Sequence, residues 1–449
     1  MQFQLTSNLI DQIQAHVAVQ DEVALKELLT DLHHADIAEI LDEVDADEAA
    51  YLVLLLDSEQ TSEALMELDE DVREKLLENL TPAEIADEVE EMDTDDAVDM
   101  IGELDDDIQL AVINQIEDEE HKADIREMLQ YDENSAGGLM AKELIKVKET
   151  WTVAGCVREM RRQAEEVTRV HSIYVVTKEN ELIGRLSLKD LLTSDTRTKI
   201  SEIYIPKVDS VNVNDPAEDV AKVMQKYDLE AIPVVDDKRV LQGRITIDDI
   251  VDFIKEEAEK DYQMAAGISQ DVEADDSILQ LTRARLPWLF LGLLGGVGAA
   301  AIMGGFEEVL NDHVILLLFT PLIAAMAGNV GVQSSAIIVQ GLANDDVKGS
   351  IGNRLIKEML LAMLNGAALA IVLFFYVWIS ESAVDYATSI SISLFVVIIV
   401  AGIIGTFIPL FLHKRGIDPA IATGPFITTS NDIFGILIYL YIAKLILGI

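Results

Sequence analysis

IATGPFITTSNDIFGILIYLYIAKLIL, Ile421 to Leu447, decides the class of fold. The stretch is long enough to cross a hydrocarbon core, which takes about 20 apolar residues as a helix. It carries one carboxylate, Asp432, well inside the apolar run. A charge at mid-bilayer costs roughly 2.5–3.5 kcal/mol on insertion scales. No basic residue stands at matching depth. Lys444 is 12 residues further on, about 18 Å along the same helix, and can snorkel to the membrane surface. An unpaired intramembrane carboxylate implies a mobile cation, a proton or water in a pore. The plainer alternative is a protonated Asp bonded to a neighbouring helix.

Working outward, four more apolar stretches follow Arg285, at about 286–306, 314–343, 358–380 and 389–412. Five such runs in succession do not belong to a soluble core. The second is over-long and holds Pro321 and several glycines, so a broken or tilted helix is expected there. Basic residues set the orientation. Arg283 and Arg285 precede the first span, Lys348, Arg354 and Lys357 fall between spans two and three, and Lys414 and Arg415 between four and five. The other two loops, GGFEEVLNDH and SESAVDYA, have neither Lys nor Arg. The expected topology is multi-pass in the cell (inner or plasma) membrane, with the N-terminus cytosolic and the C-terminus outside. MQFQLTSNLI has no basic n-region, so no cleaved signal peptide is expected.

The charge is unevenly divided. Residues 1–280 hold 25 Lys/Arg against 71 Asp/Glu, and residues 281–449 hold 8 against 10. So acidic a surface repels nucleic acid and attracts divalent cations; conferring solubility is the plainer role. The lone Cys156 allows no internal disulfide and suits a cytosolic setting.

Two repeat systems organise this half. ADIAEILDEVDADEAA from Ala35 resembles AEIADEVEEMDTDDAV from Ala83, which suggests stacked helical pairs in a small α-solenoid. IYVVTKENELIGRLSLKDLL from Ile173 aligns without gaps to IPVVDDKRVLQGRITIDDIV from Ile232, each reading as strand, turn, strand and the start of a helix. These units resemble paired CBS domains. Their Gly-x-x-Ser/Thr-x-x-Asp pattern falls on Gly184, Ser187 and Asp190, and on Gly243, Thr246 and Asp249. In CBS domains that bind adenine nucleotides the Asp contacts ribose hydroxyls, so Ser187, Asp190, Thr246 and Asp249 are candidate contacts for ATP or another adenine nucleotide. A hydrogen-bonded helix cap explains the same residues without a ligand.

From Asp248 to about Arg283 the chain reads as one long acidic helix. Like charges at three- and four-residue spacing destabilise it, and bound cations would neutralise them. Span two offers Asn329, Gln333 and small residues that serve a pore lining or close helix packing equally well. Gly424, Thr428 and Asn431 are the matching candidates in span five. Only oxygen ligands stand near Asp432. That favours a hard cation over zinc, nickel or copper, and Mg²⁺ commonly keeps its waters while one or two carboxylates hold it.

The whole chain resembles MgtE-type magnesium channels. YDENSAGGLM before the first CBS unit, PLIAAMAGNVGVQSSA in span two and DPAIATGPFITTSNDIFG entering span five carry the resemblance. It implies a helical N-domain over 1–130, CBS domains over 137–196 and 197–255, a connecting plug helix over 256–283, and a five-helix pore domain over 284–449. It implies a homodimer with the pore at the subunit interface and Asp432 as pore carboxylate. It also implies cytosolic Mg²⁺ sensing by Asp93, Asp95, Glu218, Asp228, Asp249, Asp252, Glu257 and Asp261. Lys260 stands where some relatives have an acid, and Gly424 where some have a polar side chain. The implied mechanism is feedback: internal Mg²⁺ bridges the acidic domains and the connecting helices close the pore. Two rival readings remain open, a proton- or Na⁺-coupled divalent-cation transporter and a membrane-anchored nucleotide sensor. No catalytic triad, P-loop or metallohydrolase pattern is present, so no enzyme is expected.

Overall fold

The computed structural model describes residues 4–164, 167, 170, 172–269, 272, 276–343, 350–422 and 424–448. Lys348, counted above toward the orientation, lies outside them. The chain divides into two compact units, residues 1–255 and 256–449.

The first unit opens with helices Ser7–Ala18 (α1), Glu22–Leu29 (α2), His34–Asp42 (α3), Ala46–Leu55 (α4), Ser58–Met66 (α5), Glu70–Leu77 (α6), Pro82–Val89 (α7), Thr94–Gly102 (α8), Asp106–Gln115 (α9) and Glu119–Met128 (α10). They pack as a stack: α3 on α5, α5 on α7, α7 on α9, with α4 on α6 and α8 on α10. The sequence repeat is thus a structural one, α3–α4 recurring as α7–α8. The helix starts recur as well. His33 Nδ1 accepts from Ala35 N at the start of α3. Thr81 and Glu84 form a reciprocal capping box at the start of α7, with Pro82 in the first turn, a pattern that satisfies two orphan backbone donors.

The CBS pair follows. Its first copy has strands Ile145–Lys148 (β1), Ile173–Val176 (β2), Leu182–Leu186 (β3) and Ile205–Pro206 (β4), with helices Val153–Gln163 (α11) and Leu188–Thr193 (α12). Its second has Val211–Asn212 (β5), Ala231–Val235 (β6) and Leu241–Thr246 (β7), with helix Ala217–Tyr227 (α13) and the start of Ile247–Ala266 (α14). In each copy a parallel pair is followed by an antiparallel one, and the register slips at the same repeat position, Val175/Val176 and Val234/Val235. The YDENSAGGLM segment is a stitch onto the second copy. Ala136 N bonds Asp215 O at 2.8 Å, Gly137 N bonds Val213 O at 2.9 Å, and Ala141 N bonds Arg244 O at 2.7 Å. A Cβ on Gly138 would stand 2.8 Å from Glu133 Cα, so the tight turn accounts for the glycine.

Three expectations change. The acidic helix from Asp248 does not run to Arg283: α14 ends at Ala266. Gly267 takes φ +84, and Gly267 N and Ile268 N bond Met264 O and Gln263 O at 3.0 and 2.9 Å, a Schellman-type stop that favours glycine. The next helix, Ile278–Gly305 (α15), starts afresh with Ser277 and Gln280 in a capping box. The first span helix therefore begins eight residues before 286 and includes Arg283 and Arg285. Span two is not broken. After the short Glu307–Asp312 (α16), Val314–Ala343 (α17) is continuous through Pro321, which lies inside the helix and withholds the donor from one carbonyl, that of Leu317. Ile351–Glu381 (α18), Val384–Lys414 (α19) and Gly424–Leu447 (α20) complete, among the described residues, five helices long and apolar enough to cross a membrane. α19 packs against both α17 and α18, and α20 against α15, α17 and α19.

Candidate functional site

In the first unit the start of α8 gathers acids. Asp93 is its N-cap, and Asp95 and Asp96 occupy its first turn. Glu143 comes from the segment leading into β1. Thr94 holds it there, donating to Glu143 Oε2 through both its N (3.1 Å) and its Oγ1 (2.9 Å), while Lys142 N donates to Thr94 Oγ1 at 2.7 Å. One oxygen each from Asp93, Asp95 and Glu143 lie within 4.8 Å of one another. A hard cation with ligands at about 2.0–2.6 Å spans that distance. Arg244 Nη2 reaches Asp93 Oδ2 at 3.4 Å. Asp249, at the start of α14, accepts from Thr246 N (2.8 Å) and Thr246 Oγ1 (2.7 Å).

The cluster resists full ionisation. Burial, then the neighbouring Asp96, Asp249, Asp93 and Glu143, push the Asp95 carboxyl well above its usual range. Burial and the charges of Asp93 and Asp249 push Asp96 up to about 7, and burial raises Asp249. Carboxylates crowded this way favour protons or a shared cation. The donor set is all oxygen and fits Mg²⁺ or Ca²⁺ rather than a thiophilic metal.

Of the acids picked out in the sequence, Asp93, Asp95 and Asp249 come together here; Asp96, Glu143 and Arg244 join them unforeseen. Glu218 is paired with Lys222 at 2.9 Å. Asp228 is the left-handed residue closing α13. Asp252, Glu257 and Asp261 lie along α14, and Glu257 pairs with Lys260 at 3.2 Å. The nucleotide candidates differ between copies. Thr246 and Asp249 bond each other, whereas Ser187 heads α12 without a side-chain capping bond and Asp190 sits in that helix's first turn.

In the second unit Asp432 sits on the face of α20 that meets α17. A Cβ on Gly328 would lie 3.9 Å from Asp432 Oδ1 and 3.5 Å from Thr428 Cγ2. Thr428 Oγ1 donates to Gly424 O and Pro425 O at 3.1 Å. Asn329 and Gln333 are exposed on α17, while Asn431 is buried. A Cβ on Gly424 would collide with Ala265 O, so the end of α14 abuts the start of the helix that carries Asp432. A second carboxylate on the long apolar helices was not singled out in the sequence: Glu358, two turns into α18, accepts from Ser334 Oγ on α17 at 2.6 Å.

Comparison with known proteins agrees with both halves. Family models match an MgtE intracellular N domain at 32–134, CBS domains at 136–196 and 200–256, and MgtE, a divalent cation transporter, at 320–442. "Magnesium transporter MgtE" of Enterococcus faecalis is 36% identical over 327 residues, 73% of this chain and 72% of that protein. The chain belongs to the MgtE family. The Thermus thermophilus MgtE is 34% identical over 333 residues, 74% of each chain. A solved cytosolic domain of the Mg²⁺ channel MgtE in complex with ATP is 32% identical, with TM-score 0.51, and covers 54% of this chain and 99% of that one. The acidic cluster and the five long apolar helices therefore lie in the MgtE-matched regions or beside them. Glu143 had one legible signal, its place directly after the MgtE-like YDENSAGGLM segment. A half-buried acid in an irregular segment has no sequence periodicity to announce it.

Proposed function

We propose that this chain is a magnesium channel of the cell membrane whose opening is governed by cytosolic Mg²⁺. The observation that carries the reading is the pairing of an intramembrane carboxylate, Asp432, with a separate all-oxygen acid cluster at Asp93, Asp95 and Glu143. Asp432 meets the permeating ion as a hydrated cation, and a second copy doubles the carboxylate. Leu188 and Leu192 on α12 and their repeat counterparts Ile247 and Val251 on α14 are exposed. Paired apolar surface of this kind supports a homodimer through the CBS pair. The cluster would hold regulatory Mg²⁺ between the helical domain and the second CBS copy, with Asp249 adjoining. The ion shifts the gate only through its preference for the closed state; a swing from 1:99 to 99:1 takes about 5.5 kcal/mol, within reach of several weak sites. α14 transmits the change to the start of α20. The basic loops support a cytosolic acidic unit. The ATP complex of the related cytosolic domain supports adenine-nucleotide binding at the first CBS copy, where Ser187 and Asp190 lack the internal bond that ties Thr246 to Asp249.

Asp432→Ala tests the permeation reading. A well-expressed variant should fail to rescue growth of a magnesium-dependent host, and Asp432→Asn should be severely impaired because it keeps the shape and loses the charge. Near-normal rescue by the alanine variant would remove Asp432 from the pore.

A further inference from the structure

The residue before the pore carboxylate is at odds with its surroundings. Asn431 is 1% exposed, and among the described residues neither its Nδ2 nor its Oδ1 has a hydrogen-bond partner. Its amide fills a notch left by a glycine: a Cβ on Gly331 of α17 would collide with Asn431 Nδ2 and come 2.7 Å from Ile427 Cγ2. The notch floor is itself fixed, because a Cβ on Gly405 of α19 would stand 3.0 Å from Gly331 Cα. One turn away along the same contact Gly328 receives Asp432. Span five is thus keyed into span two by adjacent side chains, Asn431 at Gly331 and Asp432 at Gly328. A void lined by Ala327, Val397, Ala401, Phe434 and Gly435 adjoins the amide and is too narrow for a water molecule. Beside Gly405, the Thr406 hydroxyl on α19 is 1% exposed and likewise unpartnered.

Packing alone does not call for an amide here. Leucine has the same branched skeleton, with two δ atoms on Cγ, and loses no hydration on burial, whereas an unpaired amide forfeits the hydrogen bonds it made in the unfolded chain. A polar group kept at that cost in one arrangement is explained if a second arrangement satisfies it. We propose that Asn431 is a positioning residue for Asp432 that works through two settings of span five. In the setting described, the amide is unpaired and Asp432 stands beside Gly328. In the other, α20 shifts against α17, the amide leaves the Gly331 notch and finds a partner, for which the unpartnered Thr406 hydroxyl of α19 is the candidate, and Asp432 is carried to a new place along the pore. This rests on the reading of Asp432 as the pore carboxylate.

Asn431→Leu in the full chain tests it. The variant should melt several degrees higher than the wild type in detergent, because the resident setting gains and the paired one is lost. Its Mg²⁺ flux should fall about tenfold with expression intact, and Thr406→Val added to it should change flux no further. Gly331→Ala, which obstructs the notch, should act in the opposite sense on stability and lower the melting temperature. Asn431→Leu and the shorter Asn431→Val, which does not reach into the notch, both melting below the wild type would show the amide already satisfied in the resident setting rather than leucine overpacking the notch, and would overturn the proposal. So would a higher melting temperature with wild-type flux, which is a purely structural role. Asp432→Ala measured alongside separates the two readings: if it conducts normally the pore assignment fails, while the melting shifts still decide whether Asn431 has two settings.

Discussion

At the scale of single residues, the informative groups are those whose chemistry disagrees with their place. Asp432 was legible because a charge in an apolar run stands out whatever the fold. Asn431 was legible as polar, but its burial was not, since that depends on a glycine a hundred residues earlier. Glu358 was missed because hydropathy placed it at the edge of span three, whereas α18 begins at Ile351. Glu88 shows the same disagreement in the first unit. It is 3% exposed on α7 and accepts from Thr61 Oγ1 at 2.6 Å and Ser58 Oγ at 3.1 Å on α5. Burial outweighs those bonds and, with Asp87 and Glu91, pushes its carboxyl up to about 7. The folded state then holds a proton that the unfolded chain sheds near its ordinary carboxylate value. The stability tied to this proton is complete below about pH 4.5 and is lost as pH rises to about 7, a span of roughly 3 kcal/mol. Hydrogen exchange of α5 and α7 in the full chain should show protection falling over that window, and Glu88→Gln should flatten the fall. An unchanged slope in the glutamine variant would contradict the assignment.

At the scale of elements, helix periodicity and hydropathy located the solenoid repeat, the CBS copies and all five spans. What they could not locate was the stop at Gly267, because the run of acids around it continues in both directions and one glycine is a weak signal within a charged segment. The stop matters for function. A Cβ on Gly267 would collide with Pro425 Cγ and stand 3.7 Å from Trp288 Cβ, so the turn ending α14 is seated against α20 and α15. Gly267→Ala combines left-handed strain with that overlap and should cost about 1–3 kcal/mol. The seat through which α14 acts on span five would be weakened, and the current remaining at high cytosolic Mg²⁺ should rise several-fold. Full inhibition in a stable, well-expressed variant would show that the seat does not carry the signal.

At the scale of the whole molecule, the charge asymmetry is the organising fact: in the proposed function an acidic half senses what an apolar half passes. The division, its order of domains and its orientation signals all sit in composition and motif, which is why they were readable. The assembly of Asp93, Asp95, Asp96, Glu143 and Asp249 was not, because it depends on the stitch of residues 136–141 onto the second CBS copy, a contact between segments about a hundred residues apart. In the proposed function this chain opens a path for Mg²⁺ and closes it when Mg²⁺ fills the acidic sites. Current recording from purified protein in planar bilayers, with Mg²⁺ titrated on the cytosolic side, tests it most directly. The wild type should give Mg²⁺-carried unitary currents whose open probability falls as cytosolic-side Mg²⁺ rises. With Asp249, Asp252, Glu257 and Asp261 neutralised together, the inhibition curve should move to higher concentration. No unitary current, or superimposable inhibition curves for wild type and variant, would contradict it.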